Sequence, residues 1–312
     1  MARPRAPNRR ATSCRCSWTI CIEPDQGTRV KQRPGGMPPH PSQVLARRGL
    51  VTSLTWLALV AAPTVAQAQF GDPGGEGTAA TDTGQIGAAA LSTPRYMGAD
   101  HNRLRALPYL SYRWANGWFV DGINGVGYGG SPTPGLQMGV HVGVSPDREE
   151  SDDPALRGMG NVNRGAELGG FAHQRLGSWL GGKLSLRSHL RYGSGEDRQG
   201  GQAELGLGWG TRLGERSLMN LGLAANWANQ GYMQTYFGVT RAQSTSSGYT
   251  EHKTDGGLRD LRLSLVVIQL FSPTTVGLLM VSQTYWQGDA ADSPLVQEKR
   301  NTMAVAALMY RF

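Results

Sequence analysis

Beyond residue 68, several segments of the chain alternate apolar and polar side chains with a period of two. In residues 183–192 the polar positions are Lys183, Ser185, Arg187, His189 and Arg191. Residues 202–209, 260–265 and 304–312 alternate in the same way, and no segment shows a sustained helical stripe. Because successive side chains of a strand point to opposite faces, this period predicts an all-β protein.

Turn chemistry sets the predicted number of strands. Short connections are predicted near residues 115–116, 131–135, 176–178, 213–216 and 272–274, and long polar loops at 93–104, 145–163, 193–200, 229–256 and 288–300. Asn124-Gly125, a favoured hairpin sequence, supplies one further turn on the long-loop side. The count is then twelve strands with both chain ends on the short-turn side. Ten strands remain an alternative, because Pro108 and the Gly-rich segment 117–130 weaken this region.

The segment before residue 69 is typical of an export signal. Arg47-Arg48 precedes a short apolar segment at 50–62, and Ala66-Gln67-Ala68 is a small-residue cleavage site. The apolar segment is shorter than the ~20 residues that a membrane-spanning helix needs. We expect a signal peptide at 37–68, cleaved between Ala68 and Gln69. Residues 1–36 are predicted to be an unstructured prefix, which a translation start at Met37 would remove.

Charge and cysteine content exclude several classes of function. The chain holds 31 Lys and Arg and 23 Asp and Glu, but ten of the former and two of the latter lie within residues 1–68. The remainder has 21 of each sign and gives no reason to expect a nucleic-acid partner. All three cysteines precede residue 22, which excludes disulfides and thiolate metal sites from the remainder.

Four features place the predicted strands in a membrane. These are the export signal, the lack of cysteine, the alternation of short turns with long polar loops, and the terminal aromatic residue Phe312. A closed barrel satisfies all backbone groups within lipid, whereas an open sheet does not. We therefore predict a closed antiparallel transmembrane β-barrel over residues 85–312, preceded by a flexible periplasmic segment at 69–84. Its location would be the outer membrane of a Gram-negative bacterium, in contact with lipids and lipopolysaccharide.

Several segments, taken in order, are similar to those of one known family. They are Ala106-Leu107-Pro108, Asn116-Gly117-Trp118-Phe119, Leu156-Arg157-Gly158-Met159-Gly160, Tyr232 to Thr240 (YMQTYFGVT), Asp289 to Pro294, and Tyr310-Arg311-Phe312. Over about residues 84–312 the chain resembles the MipA/OmpV family of MltA-interacting outer-membrane proteins. Arg241 departs from the family pattern, which often has Pro there.

The resemblance implies a barrel with no catalysis and no cofactor of its own. It implies a scaffold for murein-remodelling enzymes, with a lytic transglycosylase and a penicillin-binding protein as partners. The alternative function is a narrow porin-like channel for small polar solutes. The residues themselves indicate no catalytic or metal site, because no histidine pair has metal-ligand spacing and no Ser-His-acid arrangement is evident.

Charged residues on three successive predicted strands share the polar parity and are expected to face the lumen. They are Glu167, Lys183, Arg187, Arg191 and Glu204. Buried charges need partners, so these residues fit a salt-bridged interior. They equally fit a charged constriction of a narrow pore.

Two further sets are candidate sites. The longest loop, 229–256, carries Tyr232, Met233, Gln234, Tyr236 and Phe237. This loop would either fold inward as a constriction or form an outer contact surface, and Thr240 with Gln243 fits a capping box that predicts a helical turn. Tyr310 and Phe312 are similar to the C-terminal signal that the barrel-assembly machinery reads.

Overall fold

The computed structural model describes residues 81–122, 124–193 and 200–312. The predicted prefix 1–36, the signal peptide 37–68 with its Ala68–Gln69 cleavage site, and most of segment 69–84 lie outside these residues. The first strand begins at Thr83, slightly before the predicted start of the barrel at residue 85.

Twelve antiparallel strands within the described residues form a closed barrel. They are β1 Thr83–Pro94, β2 Asn102–Arg113, β3 Trp118–Asp121, β4 Gly125–Thr133, β5 Leu136–Val144, β6 Ala166–Trp179, β7 Gly182–Gly193, β8 Gly200–Arg212, β9 Ser217–Ala228, β10 Gly257–Leu270, β11 Thr275–Trp286 and β12 Arg300–Arg311. Each strand pairs with its neighbours in sequence, and β1 closes the barrel against β12. The prediction of twelve strands is confirmed, and the alternative of ten is wrong.

The long loops carry the helical segments of the described chain. These are α1 Gln230–Phe237, α2 Arg241–Ser247, α3 Gly288–Ala291 and two single-turn 3₁₀ helices at Glu150–Asp152 and Pro154–Leu156. The predicted capping box is present at α2, where Thr240 and Gln243 bond each other's backbone N–H groups. No helix in the described ranges is long and apolar enough to cross a membrane.

The outward faces of the strands are apolar and exposed. Examples from the middle of four strands are Val140, Leu205, Leu223 and Leu263. Exposed aromatic residues lie at both ends of this belt, with Trp179 and Tyr310 towards the short turns and Tyr192, Trp227 and Tyr285 towards the long loops. Two aromatic girdles around an apolar band are the pattern of a barrel surrounded by lipid.

One predicted turn is misplaced. The sequence predicts a turn at residues 176–178, but β6 continues through this segment with a bulge between Arg175 and Gly177. The chain reverses instead at Leu180 and Gly181, which have φ values of 47° and 72°. Two consecutive residues in the left-handed region make a tight hairpin. Leucine rarely adopts this conformation, so Leu180 itself gives no turn signal, whereas Gly181-Gly182 directly after it is a turn sequence.

The wall of the barrel is short at β3. This strand has four residues and pairs with β2 only at Ser111, Tyr112 and Arg113. In the described chain, residues 102–110 of β2 have β1 on one side and no strand on the other. Pro108 lies in this half-paired segment, where a missing N–H removes fewer ladder bonds than in a central strand. Pro108 therefore does not prevent β2 from forming, although it was one of the two features that supported the alternative of ten strands.

Apolar side chains fill part of the barrel interior near the short turns. The largest group of buried apolar residues in the barrel comes from β1, β2 and β10–β12: Ala89, Tyr109, Ile268, Val276, Leu278, Val305, Ala307 and Met309. On the opposite side, the rings of Phe119 and Phe171 pack edge to face with centroids 6.2 Å apart. The interior thus contains apolar packing near the short turns, and the rest of it leaves room for a cavity.

Candidate functional site

A cavity of about 390 Å³ occupies the middle of the lumen. Small residues at inward positions of β8 and β9 make room for it, among them Gly208, Gly210 and Gly222. At Gly222 a Cβ atom would lie 2.5 Å from the Ser264 Oγ and 3.2 Å from the Arg187 Nη2. The glycine therefore lets the Arg187 guanidinium extend across the neighbouring strand.

One wall of the cavity is cationic. The charged residues among those that line it are Arg175, Lys183, Arg187, Arg191, Arg262 and Glu204. Among the described residues, five cations and one carboxylate thus line the cavity, and Glu167 and Asp260 beside it pair with Arg191 and Arg262 at 3.8 and 3.9 Å. His173 and His189 contribute two further polar rings. With Glu167 and Asp260 included, the five cations of the described lining still outnumber three carboxylates, although residues 69–312 are neutral as a whole.

The five predicted lumen charges do not form one paired set. Arg191 lies 3.8 Å from Glu167, and Glu204 pairs with Arg262 at 3.6 Å. Among the described residues, Lys183 and Arg187 have no carboxylate within salt-bridge distance, and the buried Arg187 Nε has no hydrogen-bond partner. The structure therefore places four of the five at the cavity. It places Glu167 higher, beneath α1 beside Tyr232 and Tyr236.

Sequence reasoning missed two of the cavity's cations. Arg262 lies at a polar position of β10 and lines the cavity, but the predicted set of lumen charges does not include it. Arg175 was lost because the turn was predicted at residues 176–178, directly beside it. The inward parity of Arg175 with His173 in β6 was the signal that could have found it.

The other wall of the cavity is apolar. It consists of Leu91, Val266, Met280, Met303 and Val305, which lie on β1 and β10–β12. Sequence reasoning did not find this wall, because β10 and β11 are apolar on both faces and their alternation is weak. The cavity is consequently amphipathic, with guanidinium groups facing aliphatic side chains.

The predicted loop residues form a cap at the outer end of the barrel. Tyr232, Met233, Tyr236 and Phe237 are buried, and they pack with Trp286 at the outer end of β11. The rings of Phe237 and Trp286 lie 5.2 Å apart. Gln234, the fifth predicted residue, accepts a hydrogen bond from the Thr254 N–H at 3.1 Å and so ties α1 to the end of its own loop.

Buried polar contacts join this cap to the barrel wall. The guanidinium of Arg259 lies 5.3 Å from the centre of the Tyr232 ring, and its Nε donates to Asp260 at 2.6 Å. Asn226 donates to the same fully buried carboxylate at 2.8 Å. Burial raises the pKa of the Tyr232 phenol, which therefore stays neutral. The contacts place α1 over inward-facing residues of the barrel mouth.

A second cavity, of about 400 Å³, lies between the cap and β1, β2, β11 and β12. It shares Arg262, Ser282 and Met303 with the lumen cavity, so the two adjoin. Loop 145–165 borders it through Asp147 and Arg148.

The acidic segment of that loop is held by arginine residues. Asp152 forms an ion pair with Arg103, and Asp153 lies 3.8 Å from Arg95. No cluster of three or more His, Cys, Asp or Glu within the described ranges is arranged to hold a metal ion.

The C-terminal residue lies at the closure of the barrel. Phe312 and Gly84 exchange two backbone hydrogen bonds, of 2.9 and 3.0 Å. The Phe312 ring is exposed on the outer surface, 6.3 Å from the ring of Tyr112, and Tyr310 is exposed on the same face. The predicted assembly signal therefore stands at the seam between β1 and β12.

A closed barrel with an apolar belt, two aromatic girdles and a charged lumen defines an outer-membrane β-barrel protein. A family model described as MltA-interacting protein MipA matches residues 86–312. The chain belongs to this family, as the sequence predicted. No curated protein matches the chain.

Several solved outer-membrane proteins are similar to the chain at low identity. An outer membrane channel from Pseudomonas putida is 11% identical, with 74% of this chain and 96% of that chain covered and a TM-score of 0.40. LpxR from Salmonella typhimurium is 9% identical, with 73% and 99% covered and a TM-score of 0.39. The outer membrane channel DcaP of Acinetobacter baumannii is 10% identical, with 74% and 96% covered and a TM-score of 0.36.

Proposed function

We propose that the protein is a narrow outer-membrane passage that favours small anions. The observation that carries the proposal is the lumen cavity, where the five cations of the described lining outnumber Glu204 and the two adjacent carboxylates, Glu167 and Asp260. Lys183 is the second residue of β7 and Arg191 the tenth, so the cationic lining follows most of the strand. Rings of charged side chains of one sign select ions of the other sign in a pore.

Two features make the passage narrow. The apolar cluster around Ile268 and Leu278 fills the lumen towards the short turns on the β10–β12 side. At the other end α1 covers part of the mouth through Tyr232 and Arg259. A passage confined between these groups suits small solutes, which agrees with the channel alternative derived from the sequence.

The test is the ion selectivity of the protein purified from outer membranes and placed in a planar bilayer. In a KCl gradient we expect a reversal potential displaced towards that of chloride. Arg187→Gln should reduce the displacement, because it removes a lumen cation that has no carboxylate partner among the described residues. Arg216→Gln, a matched change in an exposed turn, should leave it unchanged.

A second candidate function is docking of a murein-degrading lytic transglycosylase. The family description supports it, since it names MltA as the partner. The short turns also expose apolar side chains, with Leu180 at 72% and Leu213 at 49% exposure. In this function the barrel has no catalysis of its own, and a penicillin-binding protein would join the same complex.

Capture experiments test the docking function. Leu180→Ser and Leu213→Ser together should abolish capture of the purified transglycosylase while the barrel stays folded. Leu263→Ser, on the lipid-facing surface of β10, is the control for a general change in hydrophobicity. Capture that survives the double substitution would exclude these turns as the docking surface.

A further inference from the structure

The short strand β3 leaves an opening in the barrel wall. A transmembrane strand needs roughly ten residues to cross the bilayer. The neighbouring strand β2 has 12 residues, whereas β3 has only four. The outer half of the wall beside β2 is therefore incomplete at the depth of the membrane.

The free edge of β2 borders this opening. Within the described chain, the backbone of residues 103–108 is hydrogen-bonded only to β1. Leu107 has the parity of the buried Tyr109, which points inward, yet it is 49% exposed and lines neither of the two cavities. This exposure is expected for an inward side chain beside an open wall.

The opening leads to the two cavities. Loop 145–165 crosses from β5 to the outer end of β2, where Asp152 pairs with Arg103. The second cavity is lined by Arg103 and Arg105 from β2 and by Pro146 and Asp147 from this loop. It shares Arg262, Ser282 and Met303 with the lumen cavity, so the free edge of β2, the second cavity and the lumen cavity lie next to one another in this order.

We propose that this opening is a lateral portal through which an amphipathic anion enters the lumen from the outer leaflet. The ligand class is a long-chain carboxylate, with its head on Arg187 and its chain on the aliphatic wall of the cavity. The proposal uses the cavity of the proposed passage, but it does not require the barrel to conduct ions.

The walls of the lumen cavity match the two ends of such a ligand. Arg187 lines the cavity with a guanidinium that has no carboxylate within salt-bridge distance among the described residues, and an anion in the cavity would supply that partner. Opposite it, Val266, Met280 and Val305 present apolar surface that is unfavourable to leave in water. A small inorganic anion would contact only the cationic wall, and a neutral lipid would contact only the aliphatic wall.

The binding test uses a dansylated long-chain fatty acid added to the purified protein in proteoliposomes. Arg187→Gln should raise its Kd about tenfold, the loss expected for one charge-assisted hydrogen bond, and Arg187→Lys should restore part of the affinity. The dansylated methyl ester should bind about tenfold more weakly than the acid. Equal binding of acid and ester, or an unchanged Kd in Arg187→Gln, would overturn the anion site.

The portal is tested by the rate of entry. Residues 22–312 contain no cysteine, so Leu107→Cys can be labelled with a bulky maleimide at the opening. Leu263→Cys is the matched control, because Leu107 and Leu263 have nearly equal exposures of 49% and 51%. Labelling at residue 107 should slow entry at least about fivefold and leave the Kd unchanged. Equal entry rates for the two labelled proteins would overturn the portal.

These experiments can refute the anion-selective passage and the lateral fatty-acid site independently of each other. Loss of anion selectivity in the bilayer bears on the passage, whereas fatty-acid binding is measured without any current. A silent barrel that binds the acid through Arg187 would refute the passage and support the lateral site.

Discussion

Phe237 anchors the cap, and its truncation provides a sharp test of the role assigned to α1. The side chain is fully buried and packs against Trp286 within a cluster that includes Met233 and Ala290. Truncation of a buried Phe to Ala destabilises by about 3–5 kcal/mol, through lost burial and the cavity left behind. We expect the cap to lose this stability and the barrel to keep its own, because Phe237 contacts other loop segments and the barrel mouth.

A destabilisation of this size predicts a large increase in the fraction of molecules whose cap is open. Since about 1.4 kcal/mol corresponds to a factor of ten, a loss of about 3 kcal/mol raises the open population by more than about 100-fold. Arg241 and Lys253 lie in the same loop and provide trypsin sites. When opening is fast relative to cleavage, the rate of cleavage follows the open population.

The assay is limited trypsin digestion of Phe237→Ala in proteoliposomes, combined with conductance. We expect cleavage at least about 100-fold faster than in the unaltered protein, and a larger unitary conductance. Thr250→Ala, an exposed position of the same loop, is the control and should change neither. Unchanged digestion and conductance in Phe237→Ala would refute α1 as a structured cover of the mouth.

Three further substitutions test separate parts of the structure. Asp260→Asn leaves the buried Arg259 without its charge partner, and we expect about 3–5 kcal/mol of destabilisation, measured by urea unfolding. Thr240→Ala removes the cap of α2 and should cost about 1 kcal/mol locally, seen as faster amide exchange at Gln243 and unchanged exchange in the strands. Phe312→Ala should lower the amount of folded barrel in the outer membrane, measured by heat-modifiable migration. Normal amounts would exclude the assembly signal.

The strand period predicted the architecture because lipid and lumen impose opposite polarities on alternate residues. In β7 this contrast is interrupted only by Ser188 on the outward face, and Lys183, Arg187 and Arg191 could be assigned to the lumen from the sequence. The Asn-Gly hairpin signal at residues 124–125 likewise predicts the turn that brings the count to twelve strands. The structure has this turn between β3 and β4, and Gly125 has a φ of 85°. Turn chemistry and parity thus predicted most of the barrel.

The remaining features depend on contacts that no local pattern encodes. Val266 and Met280 face a cavity inside the barrel, but an inward apolar residue looks the same in sequence as a lipid-facing one. The cap joins distant segments, as when the Tyr96 hydroxyl donates to the Leu295 carbonyl at 3.0 Å. The free edge of β2 exists because β3 has only four residues, and the Gly-rich segment 117–130 gave no indication of this length.

The proposed anion selectivity depends on the excess of cations in the lumen. The reversal potential of the purified protein in a KCl gradient, compared with that of Arg187→Gln, tests this dependence directly. We expect anion selectivity in the unaltered barrel and a reduced selectivity in the variant. Cation selectivity, or equal reversal potentials in the two proteins, would refute the proposal.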